Sequence, residues 1–224
     1  NRDIYNCSMK KRDNEPLSAL THLIAMLLSI AGLVLMVVFG AMHSSASHIV
    51  GFSIFGTSLI MLYGASFVYH FASKQTPAKS TLQRLDHAMI FVLIAGTYTP
   101  ICLALPERGW GWSLFGIIWG LAVIGFVLKI TGIKMKNHIT ASIYLLMGWL
   151  IIIAILPISE WLNTSAMVWL VTGGIFYTLG CVFFILDNKV HRTKWIGMHE
   201  IFHVFVMMGS FSHFWLMIKY ITHI

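Results

Sequence analysis

Seven apolar runs, each long enough to cross a bilayer, take up nearly all of this 224-residue chain. They lie at Leu17 to Met42, Ile49 to Ala72, Leu85 to Leu105, Trp112 to Ile130, Ile139 to Leu156, Ala166 to Leu186 and Trp195 to Ile218. A hydrocarbon core of about 30 Å takes roughly 20 helical residues per crossing, so the runs and their short joins leave no room for a soluble domain. Inside lipid the backbone must satisfy its own N–H and C=O groups, and runs of this length without two-residue alternation exclude a barrel. The expected fold is all-α and integral to the membrane: a tail over 1–16, then a seven-helix bundle over 17–224. Only 10% of the residues are charged, against about a quarter in soluble domains, as expected where lipid covers the surface. Pro16, Pro77, Pro106 and Pro157 stand near the ends of runs, where helices stop.

The basic residues set the sidedness. Arg2, Lys10, Lys11 and Arg12 precede the first run; Lys74, Lys79 and Arg84 lie in the second join, Lys129, Lys134 and Lys136 in the fourth, Lys189, Arg192 and Lys194 in the sixth. Arg108 and Lys219 alone fall on the opposite side. The positive-inside rule then puts the N-terminus in the cytoplasm and the C-terminus outside. That is opposite to a G-protein-coupled receptor, and the seventh run has no mid-depth lysine for a retinal Schiff base. The net charge of +7 therefore reflects membrane orientation and gives no reason to expect nucleic-acid binding. The tail lacks the short apolar core of a cleavable signal peptide. Cys7, Cys102 and Cys181 are too scattered for a disulfide framework or a thiolate metal cluster. Trp110, Trp112, Trp161, Trp169 and Trp195 fall near run ends, as interfacial anchors do, and Gly116 and Gly120 form a small-residue pair read as helix packing.

Ionisable groups within a span cost several kcal/mol by most measures, so each calls for a partner. Ser66 and His70 share one face near the inner end of the second run. Asp86 and His87 open the third run at the same depth, and His199 and His203 share a face in the first turns of the seventh. His70, His199 and His203 would offer three imidazole nitrogens to Zn²⁺ at about 2.0 Å, with water completing a tetrahedron, the pattern of a catalytic site. Asp86 would hold that water or accept its proton, and Ser66 would donate to Asp86 or to a ligand. The implied reaction is amide or ester hydrolysis. The string His199-Glu200-Ile201-Phe202-His203 also fits the zincin pattern. That reading is set aside because the motif opens a spanning helix, and Glu200 lies about 100° round from His199 and can turn to the interface. His22 and His213 have no carboxylate at their level and are read as packing or hydrogen-bonding residues, with His213 turned roughly toward the ligand face; His43 and His48 are read as surface residues of the first join.

Ser66-x-x-x-His70, Leu85-Asp86-His87 followed by Gly96-Thr97-Tyr98-Thr99-Pro100, and His199-x-x-x-His203 together resemble the hemolysin III family. That family stands with the progestin and adipoQ receptors and, more distantly, the alkaline ceramidases. The resemblance runs from about Pro16 onward. It implies seven helices with a cytoplasmic N-terminus, a zinc ion on His70, His199 and His203, Asp86 beside the metal water, and in the receptor relatives a ceramidase-like activity on lipid amides. Glu200 between the ligands is not required by the family pattern.

Three functions compete. An intramembrane zinc hydrolase would take a lipid amide or ester from the bilayer, in a bacterial inner membrane by the resemblance. A sensor or regulator of membrane state would use a structural zinc to couple the second, third and seventh helices. A cytolysin inserting from water would need a soluble form that so apolar a chain does not offer.

Overall fold

The structure is a computed structural model that describes residues 15–133, 135–187 and 197–224. Cys7, Trp195 and eight of the basic residues counted above (Arg2, Lys10, Lys11, Arg12, Lys134, Lys189, Arg192 and Lys194) lie outside the described residues.

All seven expected spans are helical. They are α1 (Pro16–His43), α2 (Ala46–Phe71), α3 (Lys79–Ala104), α4 (Arg108–Ile130), a fifth span made of two pieces, α7 (Thr164–Leu186) and α8 (Met198–Lys219). The fifth span is α5 (Asn137–Trp149), a three-ten segment over Leu150–Ala154, and α6 (Ile155–Trp161). No strand occurs among the described residues. Pro16 starts α1, where its missing N–H has no helical partner to lose, and the Asn163 side chain caps α7 through the Ala166 N–H.

Consecutive helices pack as antiparallel neighbours: α1 on α2, α2 on α3, α3 on α4 and α7 on α8. Contact between α1 and α8 closes the bundle. The most enclosed helix is α3, with 72% of its apolar stretch buried against 17% for α1. Its tight seat on α2 depends on Gly51, whose place would bring any Cβ within 2.7 Å of the Pro100 backbone. Large apolar side chains such as Leu28, Leu146 and Leu156 point outward, the normal arrangement when the surrounding solvent is lipid. This is an integral membrane protein.

Four details depart from expectation. The fifth span does not stop before Pro157 but runs on to Trp161; Pro157 sits in the first turn of α6, where no helical N–H is needed. The break comes earlier instead. There the Tyr98 hydroxyl donates to the carbonyls of Met147 and Gly148, at 2.8 and 2.6 Å, and accepts the N–H of Ile151 at 2.9 Å. A Cβ at Gly116 or Gly120 would meet nothing within 4 Å among the described residues, so the pair faces outward and packs against none of the described helices. Lys129 belongs to α4 rather than to a loop, and its buried ammonium donates to Thr140 Oγ1 at 2.9 Å. His48, too, is buried in the first turn of α2, with Nδ1 2.8 Å from Ser45 Oγ.

Candidate metal centre

His70 ends up near the last turn of α2, and His199 and His203 lie one turn apart at the start of α8. Packing brings the two helix ends together, so one ring nitrogen from each histidine falls within 4.8 Å of the other two. The Nε2 atoms of His70 and His199 are 3.1 Å apart. Two ligands on a tetrahedral ion at 2.0–2.1 Å stand about 3.3 Å apart, so this pair needs almost no adjustment to hold one. The donor set is all imidazole, which suits zinc, copper, iron or nickel rather than magnesium or calcium. The three histidines fit a divalent metal ion.

Carboxylates behind the rings fix their aim. Glu15 Oε2 accepts from His70 Nδ1 at 2.7 Å, and the Glu15 N–H donates to the His70 carbonyl at 3.2 Å. Asp187 accepts the His199 backbone N–H at 3.0 Å and stands 3.9 Å from His199 Nδ1. A carboxylate on the far nitrogen of a ligating histidine settles the tautomer and raises the basicity of the nitrogen facing the metal. His22 of α1 stacks on His203 with ring centroids 3.6 Å apart and planes 17° from parallel. Glu15, Asp187 and His22 were missed in the sequence. Two carboxylates lie just outside apolar runs, and the partner of His22 is a ring rather than a carboxylate.

Glu200 is buried but engaged away from the cluster. Its Oε1 accepts from Ser18 Oγ and its Oε2 from the Gly197 N–H, each at 2.8 Å. It thereby caps α8 and ties it to α1, a structural use that agrees with setting the zincin pattern aside.

The cluster stands at one end of a cavity of about 150 Å³ lined by His199, His203, His22, Ser66, Asp86 and His87 at that end. Ser66 and Asp86 are both buried and both line this end of the cavity. Farther in, the walls turn apolar with Leu93, Ile101, Ile155 and Leu170, interrupted by Thr97, Tyr177 and His213. Trp149, Ile152 and Val171 line the cavity and are also exposed on the outside of the bundle. The cavity therefore reaches the lipid-facing surface between the fifth span and α7. Trp149 lies across that opening, its indole N–H donating to Thr178 Oγ1 at 3.0 Å.

The family described as haemolysin-III related matches residues 10–214. A relative named hemolysin-3 homolog, from Bacillus subtilis, is 40% identical over 91% of this chain and 92% of its own length. Hemolysin-3 of Bacillus cereus is 35% identical over 91% of the chain and 90% of its own. The human monocyte to macrophage differentiation factor is 28% identical over 75% and 69%. The match takes in the first six spans and most of α8, including all three histidines, and the chain belongs to the haemolysin-III-related family of membrane proteins.

Proposed function

We propose that this protein is a zinc-dependent hydrolase of membrane lipids, acting on an amide or ester at the cytoplasmic end of the bundle. The observation that carries the reading is the shared cavity: His199, His203, Asp86 and Ser66 line one end of it, and the rest is long and mostly apolar. Zinc on three imidazoles supplies a Lewis acid for the carbonyl and lowers the pKa of water toward 7. The chain's own residues do the remainder. Asp86, buried beside Ser66, is placed to accept a proton from the attacking water and pass it to the leaving amine or alcohol. Ser66, which lines the same end of the cavity, is the donor assigned to that carboxylate or to the ligand, and the apolar walls exclude bulk water while receiving the acyl chain. The side opening between the fifth span and α7 gives a lipid a route in from the bilayer. Among the described residues Lys74, Lys79, Arg84, Lys129 and Lys136 stand at the end of the bundle that holds the histidines, which supports a cytoplasmic location for the site. A bacterial plasma membrane agrees with the Bacillus relatives.

The test is metal content by mass spectrometry on detergent-purified protein, followed by hydrolysis of long-chain lipid amides by the same samples. About one zinc per chain, lost in His70→Ala, and turnover lost in Asp86→Ala with the zinc retained, is the expected result. Absence of metal from the wild type would refute the site. Metal without turnover would favour a second reading, a regulator in which the ion braces α2 against α8; its ligands do come from those two helices. Direct pore formation by insertion from water has the least support, because seven apolar spans offer no soluble form.

A further inference from the structure

The deep half of the cavity holds one polar side chain that nothing above employs. His213 of α8 is only 5% exposed and lines the cavity; its Nδ1 is sealed within the protein without a hydrogen-bond partner among the described residues, and its Nε2, which is not sealed, makes no hydrogen bond there either. An imidazole within a span is costly to keep unless a partner meets its nitrogens. Neighbouring hydroxyls are already engaged. Tyr63 donates to Ser210 Oγ at 2.7 Å, Tyr177 shares that oxygen at 3.0 Å, and Thr97 donates to the Leu93 carbonyl at 2.8 Å. The ring itself is held firmly, stacked on Tyr177 at 5.5 Å and seated against Gly173, where a Cβ would come within 2.5 Å of Nε2.

We infer that His213 forms a second polar subsite of the cavity, which recognises a hydroxyl part-way along the chain of a lipid whose head lies at the three histidines. The helical rise gives its depth. From His203 to His213 is ten residues of α8, which places the subsite about 15 Å from that histidine of the metal cluster. An extended chain advances roughly 1.2 Å per bond, so the hydroxyl belongs near the twelfth carbon. Hydroxyls about midway between the head and the subsite, or at the chain end, would face apolar walls instead. A hydroxyl both donates and accepts, and so serves either tautomer of the ring. The lipid class is a mid-chain hydroxylated acyl amide or ester.

This inference rests on the lipid-hydrolase reading for the position of the head, and its test is binding rather than turnover. The full chain in lipid nanodiscs is titrated with the 2-hydroxyethyl amides of octadecanoic acid and of its 7-, 12- and 17-hydroxy derivatives, in competition with a fluorescent acyl amide. The 12-hydroxy amide binds about tenfold tighter than the parent, the worth of one well-placed hydrogen bond, and the other two show no gain. His213→Phe erases the preference, the 12-hydroxy and parent amides then binding within about twofold of each other. Equal binding of all four amides to the wild type overturns the inference without need of any variant. A preference that survives in His213→Phe also overturns it, by showing that a buried water or another group makes the contact. If the parent amide binds but no hydroxyl position matters, the hydrolase reading stands and the subsite falls; if no amide binds, both fall.

Discussion

Glu15 holds His70 from both sides of one residue, its carboxylate on the ring Nδ1 at 2.7 Å and its backbone N–H on the His70 carbonyl at 3.2 Å. The ring is thereby turned so that Nε2 faces His199. Removing such an outer carboxylate typically weakens metal binding about 10- to 100-fold. Glu15→Ala is expected to do so, read by competition with a chelator of known affinity, with the three histidines intact. Unchanged affinity would mean that helix packing alone aims the ring.

An ion held between α2 and α8 by the three histidines would stabilise the folded bundle by mass action. At about 100 times its dissociation constant it would contribute roughly 2.7 kcal/mol. Chelation should therefore lower the thermal midpoint of the detergent-solubilised protein, and added zinc should restore it. In His199→Ala the chelator should shift nothing; an equal shift there would place the ion elsewhere.

Tyr98 replaces backbone partners at the break in the fifth span. Tyr98→Phe keeps the ring but removes the partner of the part-buried Ile151 N–H and of the Gly148 carbonyl, while the Met147 carbonyl keeps the Leu150 N–H, at a cost of about 1–3 kcal/mol. Unfolding by denaturant in detergent measures the loss, and faster amide exchange at Ile151 locates it. Stability within about 0.5 kcal/mol of wild type would show that the break is held by other contacts.

Two glycine substitutions should separate cleanly. Gly173→Ala forces its methyl against His213, where 2.5 Å is not tolerable, and the displaced ring should destabilise the fold by about 1–3 kcal/mol. Gly116→Ala meets nothing within 4 Å and should be neutral or slightly stabilising, by up to about 1 kcal/mol. Equal effects would contradict the packing described for α4 and α7.

The seven spans were legible because apolar length is a one-dimensional signal that needs no partner. The three histidines were legible for a related reason: i,i+4 spacing and depth can be counted along each helix. What escaped were features that depend on a neighbour from another segment. Glu15 reads as part of a polar tail until α1 is set beside His70. Lys129 reads as a loop charge until Thr140 is found opposite it, and His48 as a surface residue until α2 is seen to begin at Ala46. The end of the fifth span was misplaced because Pro157 is conspicuous in sequence, and the break inside the span went unseen because the phenol of Tyr98 acts 53 residues away. Gly116 and Gly120 have the spacing of a packing pair, yet spacing does not say whether a helix stands opposite.

The contact between α1 and α8 also orders events in time. Glu15 and Ser18 leave the ribosome near the start of the spanning region, and the groups they hold, His70 and Glu200, come from the second span and the seventh. While the chain is being inserted, Glu15 can meet His70 early, but Ser18 must wait for Glu200, and the trio of imidazoles cannot form before His203 has been made. Any metal capture at this cluster would thus be a late event of biogenesis, and a chain stalled or cut before its seventh helix would sit in the membrane without ever presenting the site.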